Sequence, residues 1–239
     1  MFVLLVVVFG AGFVFLGVGS GGLDLGSLLR DAFGRKGGGT PSLSKAREEV
    51  AKHPRSAAAY KKLANALAAK GKTEEAISTL EQYVKLAPKD TAQLAQLGRL
   101  EANHAAALQV AAQTAYIEQQ TASLGSTLGV APTGKFGQAL GTDPIQSAVS
   151  TKVSTESTQT FSKYQAAATA AVKTFKRLAK LRPGVTSLLE LATVSQQFND
   201  AKTAIGAYKK LLKLETDPAT KAQIRAKIKA LQPAPTKPH

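Results

Sequence analysis

Few residues in this chain of 239 have the types and spacing that chemistry needs. Cysteine is absent, which removes both a disulfide framework and a thiolate metal site. The three histidines, His53, His104 and His239, are scattered, with no two of them at the three- or four-residue spacing that brings a pair of imidazoles to one metal. No H-E-x-x-H, phosphate-loop lysine or nucleophile elbow occurs. One motif does invite a cofactor: Gly17-Val18-Gly19-Ser20-Gly21-Gly22 satisfies G-x-G-x-x-G, the turn that lets a backbone approach a dinucleotide pyrophosphate. Its context fails three times. The apolar run before it is too long for a strand, no later strand closes a βαβ unit, and no acidic residue ends such a strand some twenty residues on. A glycine-rich exit from a membrane segment explains the same residues, and a nucleotide-binding enzyme is kept only as the alternative. The expectation is a protein without catalytic residues, metal or cofactor.

Composition points elsewhere. The chain is rich in alanine, lacks tryptophan and shows no sustained alternation of period two, which favours an all-α fold. Its net charge is +15, an affinity for anionic surfaces that says nothing about the fold. From Lys163 onward there are fifteen Lys and Arg against Glu190, Asp200, Glu215 and Asp217. Anionic lipid is one partner for such a face, at about 1 kcal/mol per basic residue near the headgroups. Nucleic acid is the competing partner, but Phe175, Phe198 and Tyr208 lie on the apolar stripe, so stacking on bases is not expected.

Residues 1–20 open with an uncharged run, Phe2 to Val18, that with its glycine flank reaches the roughly twenty residues needed to cross a bilayer. A cleaved signal peptide, giving a periplasmic or secreted adaptor, is the rival, yet the basic leader and a clear cleavage site are missing. A misplaced start would explain the missing leader. The reading adopted is an uncleaved, single-pass anchor. Arg30, Arg35 and Lys36 follow the run, so the positive-inside rule alone puts the body in the cytoplasm. Residues 21–44 read as a glycine-rich linker.

The stretch that organises the rest is Ser56–Asp90, two amphipathic helices meeting at Gly71. Tyr60, Leu63, Ala64 and Leu67 form the stripe of the first; Ala76, Ile77, Leu80, Tyr83 and Val84 form that of the second. Gly71 suits the left-handed residue past a helix end, Thr73 is placed to cap the next helix, and Pro88 stops it. Tyr60, Leu63, Ala64, Leu67, Gly71, Ala76, Leu80, Tyr83 and Pro88 fall where a tetratricopeptide repeat of about 34 residues keeps its large, small and helix-ending positions. The segment resembles that family, with Ala64 where the family has glycine. The chain as a whole looks like bacterial single-pass proteins that carry such repeats behind an N-terminal anchor, in many of which the repeats face outward. That opposes the charge rule, and the side of the membrane stays open. The resemblance implies a non-enzymatic scaffold that grips a protein or peptide with polar residues of its first helices. By position those candidates are Lys61, Lys62 and Asn65. Self-association is a further way to complete so short a solenoid.

Around this repeat, residues 45–90 hold a lead-in helix and the first unit. A second unit spans 91–183, with Asp90 as its cap and Leu94, Leu97, Gly98 and Glu101 at large, large, small and variable positions. Its second helix, carrying Ala171, Phe175 and Leu178, arrives only after an insertion of about 122–157. The pattern predicts antiparallel helices over 91–121 and 152–182, with a separate short helix starting at Pro144. Because charge is sparse between Leu100 and Ser150, the two helices are expected to pack on each other rather than present a binding surface. A third unit and capping helix cover 184–231, with Leu188, Leu189 and Ala192 lining its first helix and Asn199 capping the next. The tail, 232–239, reads as disordered.

Overall fold

A computed structural model describes residues 42–128 and 144–232. The expected anchor, the Gly17–Gly22 motif, most of the linker, the centre of the insertion and all but the first residue of the tail lie outside the described residues. Within them the chain is all-α, with eight helices and no strand. No helix among the described residues is long and apolar enough to cross a membrane. The chain divides after Ala87 into two compact units.

The first unit holds α1 (Leu43–Lys52), α2 (Ala57–Ala69) and α3 (Thr73–Leu86), with α1 packed on α2 and α2 on α3. Ser42 caps α1 by accepting from the Lys45 N–H, so the helix begins inside the stretch read as linker. Ser56 caps α2 in the same way. At its end Gly71 adopts φ +71°, the Lys72 N–H reaches Leu67 O at 3.0 Å and the Gly71 N–H reaches Ala68 O at 3.0 Å. That pair of bonds closes a Schellman motif, which needs a left-handed residue. Thr73 is not the cap: Lys72 takes that position without a side-chain bond, and Thr73 is the first helical residue. Glu74 and Glu75 stand in its place at the positive end of the dipole.

The second unit holds α4 (Thr91–Leu128), α5 (Pro144–Leu181), α6 (Val185–Gln197), α7 (Ala201–Leu214) and α8 (Pro218–Leu231), each packed on the next. The insertion is more helical than its composition suggests. Helices α4 and α5 each run 38 residues, about 57 Å at 1.5 Å per residue. The short helix expected at Pro144 is the start of α5 itself. Between Pro144 and Pro183 there is neither glycine nor proline, so nothing ends the helix once it starts. Cross-packing at the base is close. A Cβ built on Gly98 of α4 would stand 3.0 Å from Phe175 Cε2 and 3.2 Å from Thr174 Cγ2 of α5.

The α6–α7 hairpin repeats the turn of the first unit with one change. Asn199, not glycine, takes the left-handed position at φ 60°, with the Asp200 N–H bonded to Ser195 O at 2.8 Å. Asn199 therefore lies in the turn past the C-cap of α6, Phe198, and does not cap α7. Asp200 caps α7, its Oδ1 accepting from the Thr203 N–H at 3.0 Å. Leu189, expected in the core, is 44% exposed, whereas Leu188, Leu191 and Ala192 are buried. Helix α8 opens on Asp217-Pro218 and buries Ile224 and Ile228.

Candidate functional site

The residues singled out for binding stand on α2. Lys61 and Asn65 are four residues apart and share a face; Lys61 is exposed and Asn65 half-buried. The Asn65 Oδ1 is shielded from solvent and accepts no hydrogen bond from the described residues. Lys62 lies about a quarter-turn away, and its Nζ is 2.7 Å from Glu49 Oε1 of α1. The three candidates thus separate into an exposed lysine with a half-buried asparagine one turn on, and a second lysine tied to the neighbouring helix. The repeat-signature residues do structural work. Ala64, Leu67, Ala76, Leu80 and Tyr83 are buried, Tyr60 and Leu63 half-buried, and Gly71 and Pro88 sit exposed at the turns.

A second surface was missed by the sequence reading. On the second unit, Gln109, Ala112, Gln113 and Tyr116 of α4, Phe161 and Tyr164 of α5, and Asn199 line a groove of about 540 Å³. The Phe161 and Tyr164 rings lie 6.0 Å apart, and Tyr164 stands 6.2 Å from Phe198. Partial burial raises the Tyr164 phenol above its ordinary value. Packing of α4 on α5 therefore does not consume all the apolar side chains of the insertion: Tyr116 is 57% and Phe161 50% exposed. The signal was present as aromatics three residues apart at Phe161 and Tyr164, one face of a helix.

The basic excess gathers around a third depression. Lys176 and Lys180 of α5, and Lys202 and Lys210 of α7, rim a groove of about 630 Å³ floored by Leu188, Leu191 and Ala207. Asp200, beside Lys176 at 3.5 Å, is its one carboxylate. Burial pushes the Asp200 carboxyl up, but bonds from the Thr203 hydroxyl and N–H, with Lys176 nearby, outweigh this and hold it below the ordinary range. Among the described residues no group of three or more His, Asp or Glu is placed to hold a metal.

Paired antiparallel helices with a small residue on the first, a large one on the second and a left-handed turn between them define the class as a helical-repeat protein. Residues 42–100 match the tetratricopeptide repeat family. No curated protein matches the sequence. Among solved structures, it is similar to the crystal structure of the P58(IPK) TPR domain, at 17% identity and a TM-score of 0.27. That alignment covers 85% of this chain and 63% of the other, so this chain spans less than two thirds of its length. A score at that level carries no argument about function.

Proposed function

We propose that the chain is a membrane-tethered scaffold that holds a protein or peptide partner against the Lys61–Asn65 face of α2. The observation that carries this reading is the Asn65 side chain, whose shielded Oδ1 accepts nothing from the described residues although it stands one turn from an exposed lysine. A shielded acceptor without a donor costs about 1–3 kcal/mol, and turning the half-buried Asn65 amide outward to accept from a peptide N–H relieves that cost. Lys61 supplies a positive charge for a carboxylate of the same ligand. The match of residues 42–100 to the tetratricopeptide repeat supports protein binding in general; the choice of face is ours. The tether is residues 2–18, supported by their uncharged apolar run. The lysine-rimmed groove of α5 and α7 supports a secondary contact with anionic headgroups.

Selection of peptides from a displayed random library against the full chain in detergent tests the binding face. Lys61→Glu and Asn65→Ala should each weaken the selected peptides about tenfold, a loss of about 1.4 kcal/mol. Lys62→Glu should weaken them less, since Glu49 already holds that lysine. Equal binding by all three variants, with unchanged circular dichroism, rules the face out. Resistance of the full chain to carbonate extraction, lost on deleting residues 2–18, is the outcome expected of the tether.

A further inference from the structure

Helix α4 is apolar on two opposite faces. One packs against α5 and contains Ala105 and Ala112, both buried. The other contains Ala107, Val110, Thr114, Ile117 and Thr121, all exposed, with Val110 at 64% and Ile117 at 59%. Their spacing is three, four, three, four, the period of a seam between two helices and not of a solvated face. The two threonines do not make this seam polar. The Thr114 hydroxyl donates back to Val110 O at 3.2 Å, and that of Thr121 to Ile117 O at 3.1 Å and Glu118 O at 2.9 Å. With their hydroxyls satisfied, burying them beneath another helix breaks no bond with a missing partner.

We propose that this outer seam docks against the same seam of a second copy of the chain, the two α4 helices running antiparallel about Thr114. Charge selects the occupant. Two copies at +15 repel wherever lysines meet, but α4 carries no lysine and one arginine, Arg99, and Glu118 is the only Asp, Glu, Lys, Arg or His from Ala105 to Leu128. The seam is therefore a stretch where a strongly basic chain meets itself without like charges in contact. Antiparallel pairing also sets the two basic segments that begin at Lys163 toward opposite ends of the contact, whereas parallel pairing places them side by side. It puts Val110 of one copy near Ile117 of the other, and Ala107 near Thr121, an isologous contact. This inference does not depend on which ligand α2 takes.

The absence of native cysteine makes the test direct. Full-length Thr114→Cys in detergent should give a covalent dimer under mild oxidation, because a residue on the twofold axis meets its own copy. Ala107→Cys mixed with Thr121→Cys should give the mixed dimer in preference to either homodimer. Ile117→Glu in the Thr114→Cys background should lower the yield about tenfold or more, since it buries a charge without a partner. Helicity should not change, as Ile117 is exposed in the single chain. Thr169→Cys, exposed on α5, is the control for collisions and for pairing through the tether. The proposal is overturned if Thr114→Cys stays monomeric, links no better than Thr169→Cys, or links equally well with Ile117→Glu. A homodimer of Ala107→Cys that exceeds the mixed product overturns the antiparallel register.

Discussion

Two glycines in helices of the same compact unit should respond to alanine with opposite signs. Gly206 lies mid-helix in α7, exposed, and a Cβ there meets nothing within 4 Å. Gly206→Ala should therefore collect the full helix-propensity gain, about 1 kcal/mol. Gly98 receives the same gain, but its new methyl stands 3.0 Å from Phe175 Cε2, 3.2 Å from Phe175 Cζ and 3.2 Å from Thr174 Cγ2. Phe175 is 1% exposed and lacks room to retreat. Overpacking of this kind costs about 1–3 kcal/mol, so the net expectation for Gly98→Ala is a loss of about 0–2 kcal/mol. Urea unfolding followed by circular dichroism measures both; in thermal scans each kcal/mol moves the midpoint by about 2–4 °C for a unit of this size. Shortening the ring should give the methyl space, so Phe175→Leu combined with Gly98→Ala should be more stable than the two single losses predict, by about 0.5 kcal/mol or more. If Gly98→Ala stabilises as much as Gly206→Ala, or shows no coupling to Phe175→Leu, then close packing of α4 on α5 at this point is wrong.

The left-handed turns give a second test: Gly71→Ala should cost about 1 kcal/mol in thermal unfolding, whereas Asn199→Gly should be neutral or stabilising, because both residues sit at positive φ. The capping aspartates set an acid limit. Bonds from the Thr220 hydroxyl and N–H hold Asp217 below the ordinary aspartate range, and Asp200 is likewise lowered. A carboxyl depressed in the folded state adds stability above its unfolded value, near about 3.9, and loses it as pH falls through the lower folded value. Asp200→Asn should flatten this acid slope in pH-dependent urea unfolding. Across α4 and α6, Arg99 Nη2 is 2.5 Å from Glu190 Oε1, whose side chain is 20% exposed. A double-mutant cycle on that pair should give a coupling near or above the about 1 kcal/mol upper end for exposed pairs.

Much of the fold was legible because its determinants are local. The stripe Tyr60–Leu63–Leu67, the glycine at 71 and the carboxylate of Asp90, which accepts from the Ala92 and Gln93 N–H groups, act within one or two turns of helix, where spacing alone decides what a residue can reach. The misplacements were also local: Thr73 and Asn199 have capping chemistry, yet Lys72 and Asp200 hold the cap positions. In the second case Asn199 is consumed by the left-handed turn, a backbone demand that outranks its side chain.

Sequence by itself determined that the described residues are helical and that Gly71 turns a hairpin, and it named Gly98 and Phe175 as small and large residues of two helices that pack together although 77 positions separate them. The candidate site was only half legible: the order of residues names Lys61, Lys62 and Asn65 alike. Only the tertiary structure ties Lys62 to Glu49, brings Tyr116 beside Phe161 and Tyr164, and leaves Val110 and Ile117 uncovered. The physical reason is that helix periodicity reports which residues share a face, while the choice of which face is covered belongs to the neighbour that packs there. On α4, where both faces are apolar, that choice had no local signature at all.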